Sequence, residues 1–311
     1  MITPGEVEAY SPGGRFVLPG GLFHHGTRMR EVVLRPPTGR EEELIGDASH
    51  PDSIASAIIT VLSRCIERIG TLADVTPDIV RELLVGDKDY LVLKLRQITT
   101  GDRVDAILVC PSAQCGEKID MDFNLSQVPI HQGNVSSHVV TVSLEGQQEN
   151  EGGGGDKQHQ VKFRLPNTGD QEALAPLIVQ NETSAENALL GRCIQEIDGS
   201  AKADAVDVSK LPPWMRMKLE ETMAELAPHV DFELEATCPE CGQAFSFPFH
   251  ISQFFLDEIR VSLDELYQEV HFLAFYYKWS ESEILSMTRQ KRQKYLALLE
   301  AQLGRDMQAC A

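Results

Sequence analysis

Positive charge is scarce in this chain. Lys and Arg number 28 against 47 Asp and Glu, a formal charge of −19 at pH 7 over 311 residues. Nucleic-acid proteins gain much of their affinity by neutralising phosphates with basic side chains, so this balance argues against such a partner. Long apolar runs are also missing. No stretch approaches the ~18 residues that cross a bilayer, so no membrane span is expected. Met1-Ile2-Thr3-Pro4-Gly5-Glu6 has neither a basic start nor an apolar core, which points to the cytoplasm rather than to secretion. Catalytic signatures are absent too: there is no Gly-x-Ser-x-Gly, no His-Glu-x-x-His, no Gly-Lys-Ser/Thr phosphate loop and no calcium loop. Cysteine is limited to 7 residues, read in a reducing compartment as metal ligands and buried thiols rather than disulfides.

What the sequence does contain is a repeat, with an offset of 128 residues. Cys238 answers Cys110 and Cys193 answers Cys65. The flanks agree, Val109-Cys110-Pro111 and Cys115-Gly116 against Thr237-Cys238-Pro239-Glu240-Cys241-Gly242. After each Cys-Gly comes an alternating run, Ile119, Met121, Phe123, Leu125 in one copy and Phe245, Phe247, Phe249, Ile251 in the other. A period of two after such a turn is the outgoing strand of a metal knuckle. Either pair alone is a weak signal, with four residues between Cys110 and Cys115 and two between Cys238 and Cys241. Together, in equivalent places, they predict one structural Zn2+ held by Cys110, Cys115, Cys238 and Cys241. Unliganded thiols, or a disulfide within each turn, are the alternatives. Four protein ligands fill a tetrahedron, so such an ion would join two lobes and would not activate water.

The predicted fold is α+β, an internal duplication of two α+β lobes meeting at a four-Cys zinc ribbon, with a C-terminal helical segment. Expected boundaries are an extended segment at 1–28, a first repeat at 29–135, a second at 136–255 and the helical segment at 256–311. Strands are expected at 31–35, 139–144 and 160–165. The stretch 146–158, with glycines at 152–155, reads as a flexible loop. Thr168-Gly169 repeats Thr38-Gly39 at an offset of 130. Val61, Leu62, Cys65, Ile66 and Ile69 share their spacing with Leu189, Leu190, Cys193, Ile194 and Ile197, which predicts the apolar stripe of a core-facing helix. On it Cys65 and Cys193 are expected as small buried residues rather than ligands or nucleophiles. Asp87 is expected to cap a helix carrying Leu91, Leu95 and Ile98, and Pro212-Pro213 to open one carrying Leu219, Met223 and Leu226.

The C-terminal segment shows no counterpart in the first half. Ser262 to Glu265 and Ser280 to Glu283 form capping boxes, and a last helix through Tyr295, Leu296, Leu299 and Leu303 is expected to stop at Gly304. Aromatics make up only 6% of the chain, so Phe272, Phe275, Tyr276, Tyr277 and Trp279 stand out as either core or an interface patch. Arg289, Lys291, Arg292 and Lys294 are the densest basic cluster. His271 beside Glu269 reads as an ordinary helix histidine more readily than as a catalytic pair.

These pieces in this order resemble a known group: Thr38-Gly39 followed by acidic residues, Arg-Cys-Ile at 64–66 and 192–194, the two Cys-Pro…Cys-Gly turns, and the run from Glu269 through Trp279 to Leu285. The chain resembles the T-even-type phage baseplate proteins, the hub-assembly chaperone family, in the form encoded with contractile injection systems. The likeness is best over 160–300 and weaker over 30–130. It implies a non-enzymatic structural or assembly role in a baseplate or hub. Hub, tube or wedge components would be its partners, with no small-molecule substrate, and its place the cytoplasm or the assembled particle. Some members lack the cysteine pairs, so the zinc expectation rests on this sequence alone. The alternative is a zinc-ribbon adaptor for nucleic acid or transcription machinery, using residues 289–294.

Overall fold

The computed structural model describes residues 13–46, 51–134, 139–146, 157–201, 208–261 and 263–309. Most of the glycine-rich stretch, and Ser262 of the first C-terminal capping box, lie outside them. The chain opens with β1 (Gly14–His24) and β2 (Thr27–Leu34), an antiparallel pair in which β1 runs straight through Pro19-Gly20-Gly21. That strand was not legible in the sequence, because Pro-Gly-Gly signals a break. The register slips between Val17 and Leu22, and the bulge is held from below. The Asp87 carboxylate accepts from the amides of Gly20 (2.7 Å) and Gly21 (2.8 Å), while Arg28 and Arg30 donate to the carbonyls of Gly20 and Leu18. Asp87 is therefore a buried brace and not the expected helix cap. Burial pushes its carboxyl up to about 6, against the pull of the two glycine amides.

Two helices follow, α1 (Gly39–Gly46) and α2 (Pro51–Cys65), then β3 (Ile66–Ile69), which pairs with β2 through Val32↔Ile69 and Leu34↔Ile66. The apolar stripe predicted as one helix is thus split. Ile58, Ile59, Val61, Leu62 and Cys65 lie on the buried face of α2, whereas Ile66 and Ile69 point inward from a strand. Cys65 ends the helix because its carbonyl accepts the Arg35 amide, 2.9 Å away, joining the chain to the sheet. Next come α3 (Pro77–Glu82) and α4 (Val85–Thr100), then the hairpin of β4 (Arg103–Val109) and β5 (Lys118–Asn124), and the short β6 (Ile130–His131).

The second half follows a similar order, without an α-helix among the described residues in the place of α3. It runs β7 (Val139–Gly146), β8 (Lys157–Arg164), α5 (Thr168–Gln180), α6 (Glu182–Cys193), β9 (Ile194–Ile197) and β10 (Ser200–Ala201). Here too the strand after the cysteine pairs with the preceding hairpin, through Val161↔Ile197 and Phe163↔Ile194. Both halves bracket the first helix alike. Arg35 grips Glu41 with two donors and Arg164 grips Asp170, and each carboxylate also accepts the amide of the capping residue, Thr38 or Asn167. Thr38 thus corresponds to Asn167 in space, not to Thr168 as the shared Thr-Gly pair had implied. A 3-10 turn at Val208–Lys210 leads into α7 (Pro213–Leu226), which buries Met215, Leu219 and Met223 at helical spacing. The short β11 (His229–Val230) pairs with β6, and β12 (Glu233–Thr237) and β13 (Ala244–Pro248) make the second hairpin.

The helix after that hairpin, α8 (Ile251–Val261), packs Phe255, Leu256 and Ile259 into the core of the first sheet. Arg96 of α4 fixes it with a two-donor grip on Glu258, at 3.0 and 2.8 Å. The C-terminal α9 (Leu263–Tyr277), α10 (Glu281–Leu285) and α11 (Arg289–Ala309) form their own core from Leu266, Val270, Leu273, Ile284 and Leu285. The last helix continues through Gly304, where it was expected to stop. The aromatic run divides. Tyr277 and Trp279 stack on each other and meet Tyr295 edge to face, whereas Phe272, Phe275 and Tyr276 are exposed.

Candidate metal centre

The two hairpins bring four sulfurs together. Cys110 follows β4 and Cys115 precedes β5; Cys238 follows β12 and Cys241 precedes β13. Each turn is closed by the same two amide bonds. In the first, Cys110 donates to the Glu117 carbonyl (2.9 Å) and Gly116 to that of Ser112 (3.1 Å). In the second, Cys238 donates to Gln243 (3.0 Å) and Gly242 to Cys238 (2.9 Å). Gly116 and Gly242 take φ of 60° and 72°, a left-handed conformation that a side chain would strain. The longer spacing puts Cys110 two residues ahead of the Ser112 acceptor, whereas Cys238 is itself the acceptor, and both turns end in the same Cys-Gly geometry.

Across the hairpins, Cys110 Sγ lies 3.7 Å from Cys241 Sγ and Cys115 Sγ lies 3.8 Å from Cys238 Sγ. All four sulfurs fall within 4.8 Å of one another. A tetrahedron with Zn–S bonds of about 2.3 Å has edges of about 3.8 Å, whereas a disulfide needs about 2.05 Å. The spacing is that of four ligands around a metal-sized centre. Cys110 and Cys238 are buried, with Ile119, Leu108 and Phe245 against them, and Cys241 is exposed. Cys238 and Cys115 are pushed in opposite directions. Amide bonds from Cys241 and Glu240 bring Cys238 down to about 7. Although the Glu117 amide favours its thiolate, lost water and the neighbouring sulfurs push Cys115 up to about 12. Without a cation, four crowded thiolates cannot form together, and a divalent ion removes that repulsion.

Other candidates resolve differently. Cys65 and Cys193 are fully buried on their helices, and desolvation pushes the Cys65 thiol up to about 12, which suppresses nucleophilicity. Glu269 does not pair with His271. It is buried and accepts from Arg292 (2.6 Å) and from Gln293. The basic cluster divides: Arg292 is 1% exposed and also donates to Glu42 at 2.7 Å and Arg289 binds Glu265, while Lys291 and Lys294 are exposed. The buried roles of Asp87 and Arg292 escaped the sequence, because their partners lie 66 and 250 residues away.

Among the described residues no helix is long and apolar enough to cross a membrane. Among curated proteins and among solved structures, none matches the chain. The family model described as T4 bacteriophage base plate protein matches residues 23–256, a span that runs from the end of β1 into α8 and takes in all four clustered cysteines. On that match the chain belongs to the T4 bacteriophage base plate protein family.

Proposed function

We propose that this protein is a non-enzymatic structural or assembly component, a chaperone of a contractile baseplate or hub, built as two duplicated lobes clamped by one zinc ion. Family membership supports the baseplate role. The zinc clamp rests on four sulfurs from two distant hairpins, set at tetrahedral edge lengths. In this reading Cys110, Cys115, Cys238 and Cys241 are the ligands. Thiolate donors favour Zn2+ over hard cations. A closed four-sulfur shell leaves no position for water, so the ion's contribution is mechanical. By analogy with zinc-finger peptides it stabilises the folded state by on the order of 10 kcal/mol.

Duplication is supported by the matching strand registers, the paired Arg–carboxylate brackets and the equivalent buried cysteines. The expected division is 29–135 and 136–255 for the repeats, with 1–28 and 256–311 flanking them; in this reading residues 14–28 go with the first repeat, since β1 pairs with β2 and buries Leu18 and Leu22 in its core. α8 crosses this division, reinforcing the clamp by packing the second repeat's exit onto the first core.

Metal analysis of the purified full chain tests the clamp. One zinc per chain is expected, Cys238→Ser should remove it and lower the unfolding temperature of both halves together, and Cys65→Ser should leave it in place. Full metal in the Cys238→Ser protein would refute the ligand set. Co-expression with the neighbouring tail genes tests the role: a hub, tube or wedge protein should co-purify, and consistent absence of all of them would refute it.

A further inference from the structure

Three turns of this chain share one construction. Thr76 and Ser280 each cap a short helix by accepting an amide, from Ile79 and Glu283. The chain then turns, with Leu83 donating to Val80 and Met287 to Ile284, and a long helix opens as Lys88 donates to Leu84 and Arg292 to Thr288. Corresponding residues are 204 apart throughout, so the C-terminal segment does have a counterpart in the first half. The third such turn lies 128 residues after the first: Leu211 donates to Val208 (3.1 Å) and Arg216 to Pro212 (3.2 Å) at the start of α7.

Two of these hooks grip the start of a helix in a sheet lobe. In the first, the Leu83 carbonyl accepts from the Thr168 amide (2.8 Å), Leu84 bridges the capping residue Asn167, and Lys88 Nζ donates to Gln171 (3.0 Å). In the C-terminal one, the Met287 carbonyl accepts from Gly39 (3.2 Å), Thr288 bridges the capping residue Thr38, and Arg292 donates to Glu42. The gripped helices agree position by position. Each has a Thr or Asn cap, an acidic residue three further on that reaches back to the cap, and a Glu or Gln at the fourth place for the cation. The middle hook has the same cation, Arg216, and no helix start of the described residues sits on it. Among the described residues its Nε has no partner and Nη1 reaches only Asn187, at 3.5 Å. Nη2, the nitrogen that Arg292 turns to Glu42, makes no hydrogen bond to a described residue in Arg216 and is the donor left for a docked acceptor.

We propose that the turn at 208–216 is a docking surface for another tail protein, whose helix start carries a Thr or Asn cap, a carboxylate at the third place and Glu or Gln at the fourth. This rests on the baseplate reading and specifies its partner. The partner's first helical amide meets the Leu211 carbonyl, and its Glu or Gln meets Arg216.

A photo-crosslinking benzoylphenylalanine at exposed Ser209, the equivalent of Arg81 and Leu285, tests this in the full chain co-produced with the tail proteins. Crosslinks should land in the first turn of a helix of that pattern, and Arg216→Glu should reduce them at least tenfold with zinc content and melting unchanged. If a tail protein co-purifies but crosslinks elsewhere or not at all, the docking surface is refuted and the baseplate role stands. Crosslinks to residues 38–42 of a second copy would also overturn it, by showing exchange of hooks between identical chains. If no tail protein co-purifies, both readings fail.

Discussion

Removing the Arg292 guanidinium should detach the C-terminal helices from the first lobe. Arg292 is 1% exposed and donates to Glu269 at 2.6 Å, to Glu42 at 2.7 Å and to the Met287 carbonyl at 2.9 Å. Two glutamates therefore share one cation, and Glu42 Oε1 is buried with no partner. Breaking a buried pair by deleting one member costs about 3–5 kcal/mol, because the other charge stays behind unsolvated. Here two charges stay behind, so Arg292→Ala and the bulkier Arg292→Met should both fall at the upper end. Arg292→Met keeps most of the packed volume, so a cost common to both variants comes from the lost charge. Glu42→Gln should behave otherwise. Burial already raises the Glu42 carboxyl, with Glu269 adding repulsion, so losing its charge should cost less than about 1 kcal/mol. The first hook uses a Gln at the corresponding place. Urea unfolding gives the energies, and amide hydrogen exchange over 263–309 locates the loss. An Arg292→Ala protein within about 1 kcal/mol of the parent, with unchanged exchange there, would refute the reasoning.

Gly86→Ala should destabilise even though alanine gains about 1 kcal/mol in helix propensity. The new Cβ would lie 1.9 Å from the Pro228 carbonyl oxygen, and relieving such overlap costs typically 1–3 kcal/mol or more. Exchange at residues 226–231 should rise; protection there would count against this packing. Acid should weaken the second lobe through Asp170. Burial opposes its charge, but Arg164, Arg192 and the Asn167 amide together hold its carboxyl below the usual range. Because the folded pKa is depressed, the stabilisation is complete above the ordinary value of about 3.9 and is lost as pH falls below it. Asp170→Asn should lower stability at pH 7 and flatten that acid limb in urea midpoints measured from pH 7 to 3. An acid limb as steep as the parent's would place the effect elsewhere.

The sequence by itself determined the α+β character, the pairing of Cys110 with Cys115 and Cys238 with Cys241 in knuckle turns, and the buried place of Cys65 and Cys193. Those features depend on local chemistry: a strand's period of two, a Cys-Gly turn, an apolar helix face. Family likeness was legible in the same way, from motifs in order. Tertiary structure decided what depends on residues far apart. β1 survives Pro19-Gly20-Gly21 only because Asp87 supplies acceptors from another element. Ile66 and Ile69 are strand rather than helix because the open edge of β2 is there to pair with them. The kinship of 280–292 with 76–88 lay hidden because hooks are kept by a backbone carbonyl and one cation, which constrain few side chains. Four sulfurs at tetrahedral distance likewise required both hairpins to be folded first, since no local rule brings together residues 131 apart.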